Sequence, residues 1–167
     1  MDTVYSEDNI RLGVCEVSFD GNHVGHTLGG CQVRITTISV EKKTDKYGDV
    51  PVGYNDLGTR IEVTVNIAEE TLAKIAQYFP TGTNSPADRV TFGRTVGTAF
   101  TGYKLILDPT DGGEPIVIYK AVPNPDETQE IGYTNDGQRV WGVVFKGLPD
   151  SSRTENDQLF RIGGPAS

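Results

Sequence analysis

The sequence predicts a mainly β protein: a β-sandwich or partial barrel with one flanking α-helix and a long inter-strand loop. Three observations predict it. Apolar and polar residues alternate in short runs, most regularly at Ile61, Val63, Val65 and Ile67. Turn sequences such as Asp20-Gly21, Asp111-Gly112-Gly113 and Asn135-Asp136-Gly137 separate the runs. One stretch alone, with Leu72, Ile75, Ala76 and Phe79 at i, i+3, i+4 and i+7, carries convincing helical spacing. Short strands with a single helix bury their faces most simply as a sandwich or barrel flanked by that helix.

Arg11 to Phe19 reads as the first strand, with Cys15, Val17 and Phe19 on one face. Asp20-Gly21 predicts a type I′ turn, and His23 to Leu28 a return strand ended by Gly29-Gly30. Cys31 to Val40 is a further strand. Its apolar parity slips between Ile35 and Ile38, which predicts a bulge near Thr36-Thr37. Thr59 to Ile67 has one apolar face and one wet face, the latter formed by Arg60, Glu62, Thr64 and Asn66. The helix follows, with Glu69 and Glu70 placed in its first turn and Pro80 and Gly82 stopping it.

Strands are predicted again at Arg89 to Phe100, Tyr103 to Leu107, Pro115 to Val122, Glu130 to Tyr133, Gln138 to Lys146 and Gln158 to Ile162. Trp141, Val143 and Phe145 oppose Val140 and Val144, so their strand is expected to be covered on both faces. The 167 residues fit an N-terminal arm over 1–10, one domain over 11–163 and a C-terminal tail over 164–167. Between two good strands lies Glu41 to Gly58, with little apolar content and a basic cluster at Lys42, Lys43 and Lys46. Loops longer than about 12–15 residues tend to be functional or disordered. Its pattern alone leaves open a solvated loop or an extension that reaches an acidic neighbour.

Net charge of −8 argues against binding nucleic acid or an anionic membrane, both of which need clustered cations. Met1 to Ile10 is polar, with no apolar core of a secretory signal, and no apolar run approaches a bilayer span. Two cysteines, Cys15 and Cys31, lack CxxC spacing and read as reduced, partly buried thiols, with a disulfide possible if their strands are neighbours.

No catalytic or cofactor site is expected. Gly48 to Gly53 has the glycine spacing of a phosphate-binding loop but continues Tyr54-Asn55, without the Lys and hydroxyl that hold phosphate and Mg²⁺. Gly25 to Gly30 continues Cys31-Gln32 and fails likewise. His23 and His26, three apart on a strand, point to opposite faces and do not share a metal. No GxSxG elbow occurs. Acidic stretches Asp108 to Glu114 and Asn124 to Glu127 have oxygen ligands for a weak Ca²⁺ site, yet also the composition that turns require, and lack EF-hand spacing.

The order of elements resembles the tail tube (major tail) proteins of long-tailed, siphovirus-type bacteriophages. The similar stretches are Glu41-Lys-Lys-Thr-Asp-Lys-Tyr-Gly-Asp-Val-Pro-Val-Gly53, then the alternating strand, then Glu69-Glu-Thr-Leu-Ala-Lys-Ile75. Tyr119-Lys-Ala121, Phe145-Lys-Gly-Leu-Pro-Asp150 and Gln158-Leu-Phe-Arg-Ile-Gly163 complete the match, which spans Gly13 to Gly163. Ending at Ser167, the chain departs from relatives that append an immunoglobulin-like domain, so no surface-decoration role is expected.

The resemblance implies a non-enzymatic virion protein, assembled in the host cytoplasm without cofactors. It implies subunits closed into hexameric rings and stacked into a tube around the tape-measure protein. Tail terminator and distal tail or baseplate proteins are the implied further partners, and DNA passes through without specific binding. Lys42, Lys43, Lys46, Tyr47 and Tyr54 become expected inter-subunit contacts, because the family's long loop bridges subunits or rings. Glu62, Thr64 and Asn66, with Arg34 beside them, become expected lumen-facing residues. Alternatives are the tube of a contractile or type VI-like secretion apparatus, or a carbohydrate-binding β-sandwich adhesin, which would want exposed aromatics on one face, a clustering that Tyr47, Tyr54, Tyr103 and Trp141 do not show in the sequence.

Overall fold

A computed structural model describes residues 13–84, 87–93, 96–128 and 137–167. Their strands are β1 (Cys15–Phe19), β2 (Asn22–His23), β3 (Thr27–Lys42), β4 (Gly53–Ile67), β5 (Tyr103–Pro109), β6 (Ile116–Pro123), β7 (Trp141–Leu148) and β8 (Phe160–Ile162). All pair antiparallel in one sheet of order β2-β1-β5-β6-β7-β4-β3, with β8 added to β6. The fold is mainly β, as expected, and the described residues hold one short α-helix, α1 (Leu72–Tyr78).

The sheet curls on itself. In a flat sheet β1 and β7, separated by β5 and β6, would lie about 14 Å apart at ~4.8 Å per strand. Instead Phe19 of β1 meets Phe145 of β7 with ring centroids 5.0 Å apart. The alternating inward residues explain why. Val17 and Phe19, Leu105 and Leu107, Val143 and Phe145, and all four of Ile61, Val63, Val65 and Ile67 join a single apolar cluster. Curling removes both halves of the sheet's apolar face from water at once, at about 25 cal/mol per Å² buried.

The helix closes one end of the curl. Thr71 Oγ1 accepts from the Lys74 N–H at 3.3 Å as its N-cap. Tyr78, buried, donates its hydroxyl to the Val24 carbonyl at 3.0 Å, and Phe79 sits edge-on to Trp141 with centroids 5.9 Å apart. The helix starts later than expected. Glu69 and Glu70 precede it, and their charges go to Lys74 and Arg139. Leu72 stays 40% exposed, because Ile75, Tyr78 and Phe79 form the packed face.

Turn chemistry explains the agreements and the corrections. Asp20 (φ 52°) and Gly21 (φ 75°) both take the positive φ of the expected turn. Gly29 and Gly30 do not end a strand: at φ 85° and 77° they form an irregularity inside β3, between the pairs Thr27↔Ile67 and Cys31↔Val65. The return strand β2 is therefore only Asn22–His23. The second bulge falls between Ile38 and Ser39, not at Thr36-Thr37. There Leu57 is the extra residue on β4, and Asp56 Oδ1 accepts the Gly58 N–H at 2.8 Å.

The strand expected at Arg89 to Phe100 does not form among the described residues of that stretch. Among its described residues, Thr91 alone pairs, in a bridge to Thr83. Phe92, Val96 and Phe100 would share one face of a strand, yet all three are exposed, so no core holds the segment in a ladder. β7 is fully buried on its inner face only, Val140 and Val144 being half-covered. The expected strand at Glu130 to Tyr133 and the turn at Asn135-Asp136 lie outside the described residues, as does the arm over 1–10.

Candidate assembly surface

The stretch from Glu41 to Gly58 is not a structureless loop. β3 and β4 continue their ladder to Lys42↔Gly53, and a 3₁₀ turn at Asp45–Tyr47 lies in the tip. The result is a two-stranded arm. It leaves the curled sheet beyond Ile61, the last buried residue of β4 on this side, opposite the end closed by α1. From Ile35 to Lys42 it projects about 25 Å at ~3.3 Å per residue.

No residue from 35 to 60 is buried. Several are large and apolar: Ile35 and Val40 (46% exposed), Val52 (48%), Tyr47 (55%), Leu57 (62%), Tyr54 (63%) and Val50 (64%). An isolated hairpin is marginal in water, and a long exposed ladder invites pairing with another chain. Sequence reasoning missed Ile35, Val40, Val50, Val52 and Leu57. The signal was present in the period-two spacing of Val50, Val52 and Tyr54 and of Ile38 and Val40.

The five expected contact residues all lie on this arm. Their chemistry differs from a simple basic patch. Lys43 Nζ lies 3.5 Å from Glu41 and 3.8 Å from Asp49, so its arm supplies its carboxylates. Lys46 sits 5.4 Å from the Tyr47 ring centroid. Lys42 contributes its carbonyl, which accepts the Val52 N–H at 2.8 Å.

The four residues expected in a lumen share the outward face of β3 and β4. Arg34 lies opposite Glu62, their charges 3.8 Å apart, and Gln32 lies opposite Thr64. On the other side β7 sets Lys146 beside Glu62 and Gly142 beside Asn66. Glu62 thus stands between two cations across three strands, and Lys146 also lies 3.3 Å from Glu127. This alternation of sign gives a polar face without a net basic stripe. Lys146 and Glu127 belong to this face and carry no sequence signal of it, because cross-strand neighbours are set by register.

Elsewhere, polar groups are spent on structure. Asp111 Oδ1 accepts the Gly113 N–H at 3.2 Å, and Asn124, at φ 47°, bonds the Tyr78 carbonyl and the Val144 N–H. These are turn-building contacts in the two acidic stretches. Among the described residues no group of three or more His, Cys, Asp or Glu is arranged to hold a metal ion. His26 is exposed, 3.5 Å from Glu69, and His23 faces Ser18 on β1. The Lys74 ammonium first, then the His26 N–H, hold the Glu69 carboxyl below its ordinary range. Among the described residues no helix is long and apolar enough to cross a membrane.

Of the aromatics weighed for a carbohydrate platform, Trp141 is buried, Tyr103 stacks edge-on against Phe19, and Tyr47 and Tyr54 lie on the arm. They form no common face. No protein-family model matches the chain, and no curated protein matches its sequence.

Proposed function

We propose that this chain is the building block of a bacteriophage tail tube, joining copies of itself into rings, six to a ring, stacked along a DNA conduit. The observation that carries the reading is the arm: seven large apolar side chains on a hairpin that buries nothing in its own chain. Such a surface gains its free energy when a neighbouring copy covers it. A head-to-tail contact between different patches closes into a ring when its rotation fits, and it pairs exposed strand edges that would otherwise aggregate.

The outward face of β3, β4 and β7 suits the lumen of such a ring. Arg34 is matched by Glu62 and Lys146 by Glu127, so the face offers phosphates few unneutralised cations. A conduit needs that property, since phosphate contacts would arrest the moving DNA. The tape-measure protein would occupy the lumen before DNA does. The resemblance in element order supports the same reading.

Negative-stain microscopy and sedimentation velocity of the purified protein over rising concentration test it. Rings or tubes are expected. Monomers alone under all conditions would overturn it. Co-expression with a sheath protein distinguishes a contractile or secretion-type tube, which would recruit the sheath.

A further inference from the structure

Cys15 and Cys31 lie on β1 and β3, towards opposite edges of the sheet order, yet the curl brings them together. Both line one apolar crevice of about 310 Å³, with Val14, Val33, Leu107 and Pro109 around them. Both are half-buried and free. They line the same crevice, across the seam where the sheet's two ends meet without a shared ladder.

We propose that Cys15 and Cys31 form an oxidation site whose product is an intramolecular disulfide that ties the seam of the curled sheet. The inference is independent of the tube reading. The oxidant is a low-molecular-weight disulfide, RSSR, which the open crevice admits. The Cys15 thiolate attacks one sulfur of RSSR, giving a Cys15 mixed disulfide and releasing RS⁻. The Cys31 thiol then gives up its proton and attacks the Cys15 sulfur, releasing a second RS⁻. The two thiols lose two electrons and two protons; RSSR gains them and leaves as two RSH.

The order of attack follows from the environment. Burial first, then the neighbouring Cys15, push the Cys31 thiol up to about 12. Cys31 is therefore the resolving group, reactive once the mixed disulfide stands beside it.

The test treats the folded full chain with oxidised glutathione at neutral pH, followed by intact-mass analysis and non-reducing peptide mapping. The expected product is a monomer lighter by two hydrogens, with Cys15 and Cys31 in one cross-linked peptide pair. Its melting temperature should rise by several degrees, up to about 10 °C for a loop of this length, and fall back on reduction. C31S should stop at the glutathione adduct on Cys15. A stable adduct on wild-type Cys15, an intermolecular cross-link, or no oxidation while denatured protein oxidises would each overturn the proposal.

Discussion

Val50, Tyr54 and Leu57 are 64%, 63% and 62% exposed, so nearly two thirds of each side chain still meets water in the single subunit. Complete burial of such a side chain contributes about 1.5–3 kcal/mol, leaving ~1–2 kcal/mol each for a neighbour to collect. Replacing all three with Ser should therefore weaken subunit association by about 3–6 kcal/mol, or 10²- to 10⁴-fold, if the neighbour covers them fully. The isolated subunit should hardly notice, since exposed substitutions change stability by about 0.5 kcal/mol or less each. Sedimentation velocity across a concentration series reads the first quantity, and thermal unfolding of the monomer reads the second. Assembly of the triple variant at the wild-type concentration would refute the claim that the arm's apolar surface drives association. A variant that unfolds would refute the claim that the arm lies outside the core.

Reversing Lys42, Lys43 and Lys46 to Glu should impair assembly while leaving the circular dichroism spectrum unchanged; wild-type tube yield would remove these lysines from the contact. Lys43→Glu alone should show little, because exposed pairs contribute about 0.2–1 kcal/mol and Lys43 already faces Glu41 and Asp49. Tyr78→Phe deletes the hydroxyl bond to Val24 and should cost about 1–2 kcal/mol, a melting drop of roughly 2–8 °C by calorimetry. Asp157 accepts from the Tyr119 hydroxyl and then from Arg153, and both hold its carboxyl below the ordinary range. A folded-state value below the unfolded one adds stability above about pH 4, lost as pH falls through the folded value. Asp157→Asn should flatten that acid limb in a series of melts from neutral pH to about pH 3; an unchanged acid limb would assign the acid sensitivity to other carboxylates.

The core was legible because β4 alternates strictly. Ile61, Val63, Val65 and Ile67 had one face to occupy, and it is buried. Asp20-Gly21 was legible because few sequences accept two consecutive positive φ values. Gly29-Gly30 misled for the same reason: positive φ serves a bulge as well as a strand end. The arm misled more instructively. Its glycines, its proline and its lysines read as a loop, and the short period-two runs at Ile38, Val40 and at Val50, Val52, Tyr54 were too brief to outweigh them, since neither face meets its own core. The polar face of β3, β4 and β7 was half legible. Glu62, Thr64 and Asn66 follow from period two, whereas Lys146 beside Glu62 depends on a register between distant strands. The meeting of Cys15 and Cys31 was hidden too, because only the curl brings β1 to β3.

A reconstruction of the assembled protein by cryo-electron microscopy tests the central claim most directly. Stacked rings are expected, with Glu62, Thr64 and Asn66 lining the bore and the arm over 35–60 lying against a neighbouring copy. A preparation of isolated subunits, or rings with Glu62 sealed between subunits and the arm free in solvent, would contradict it.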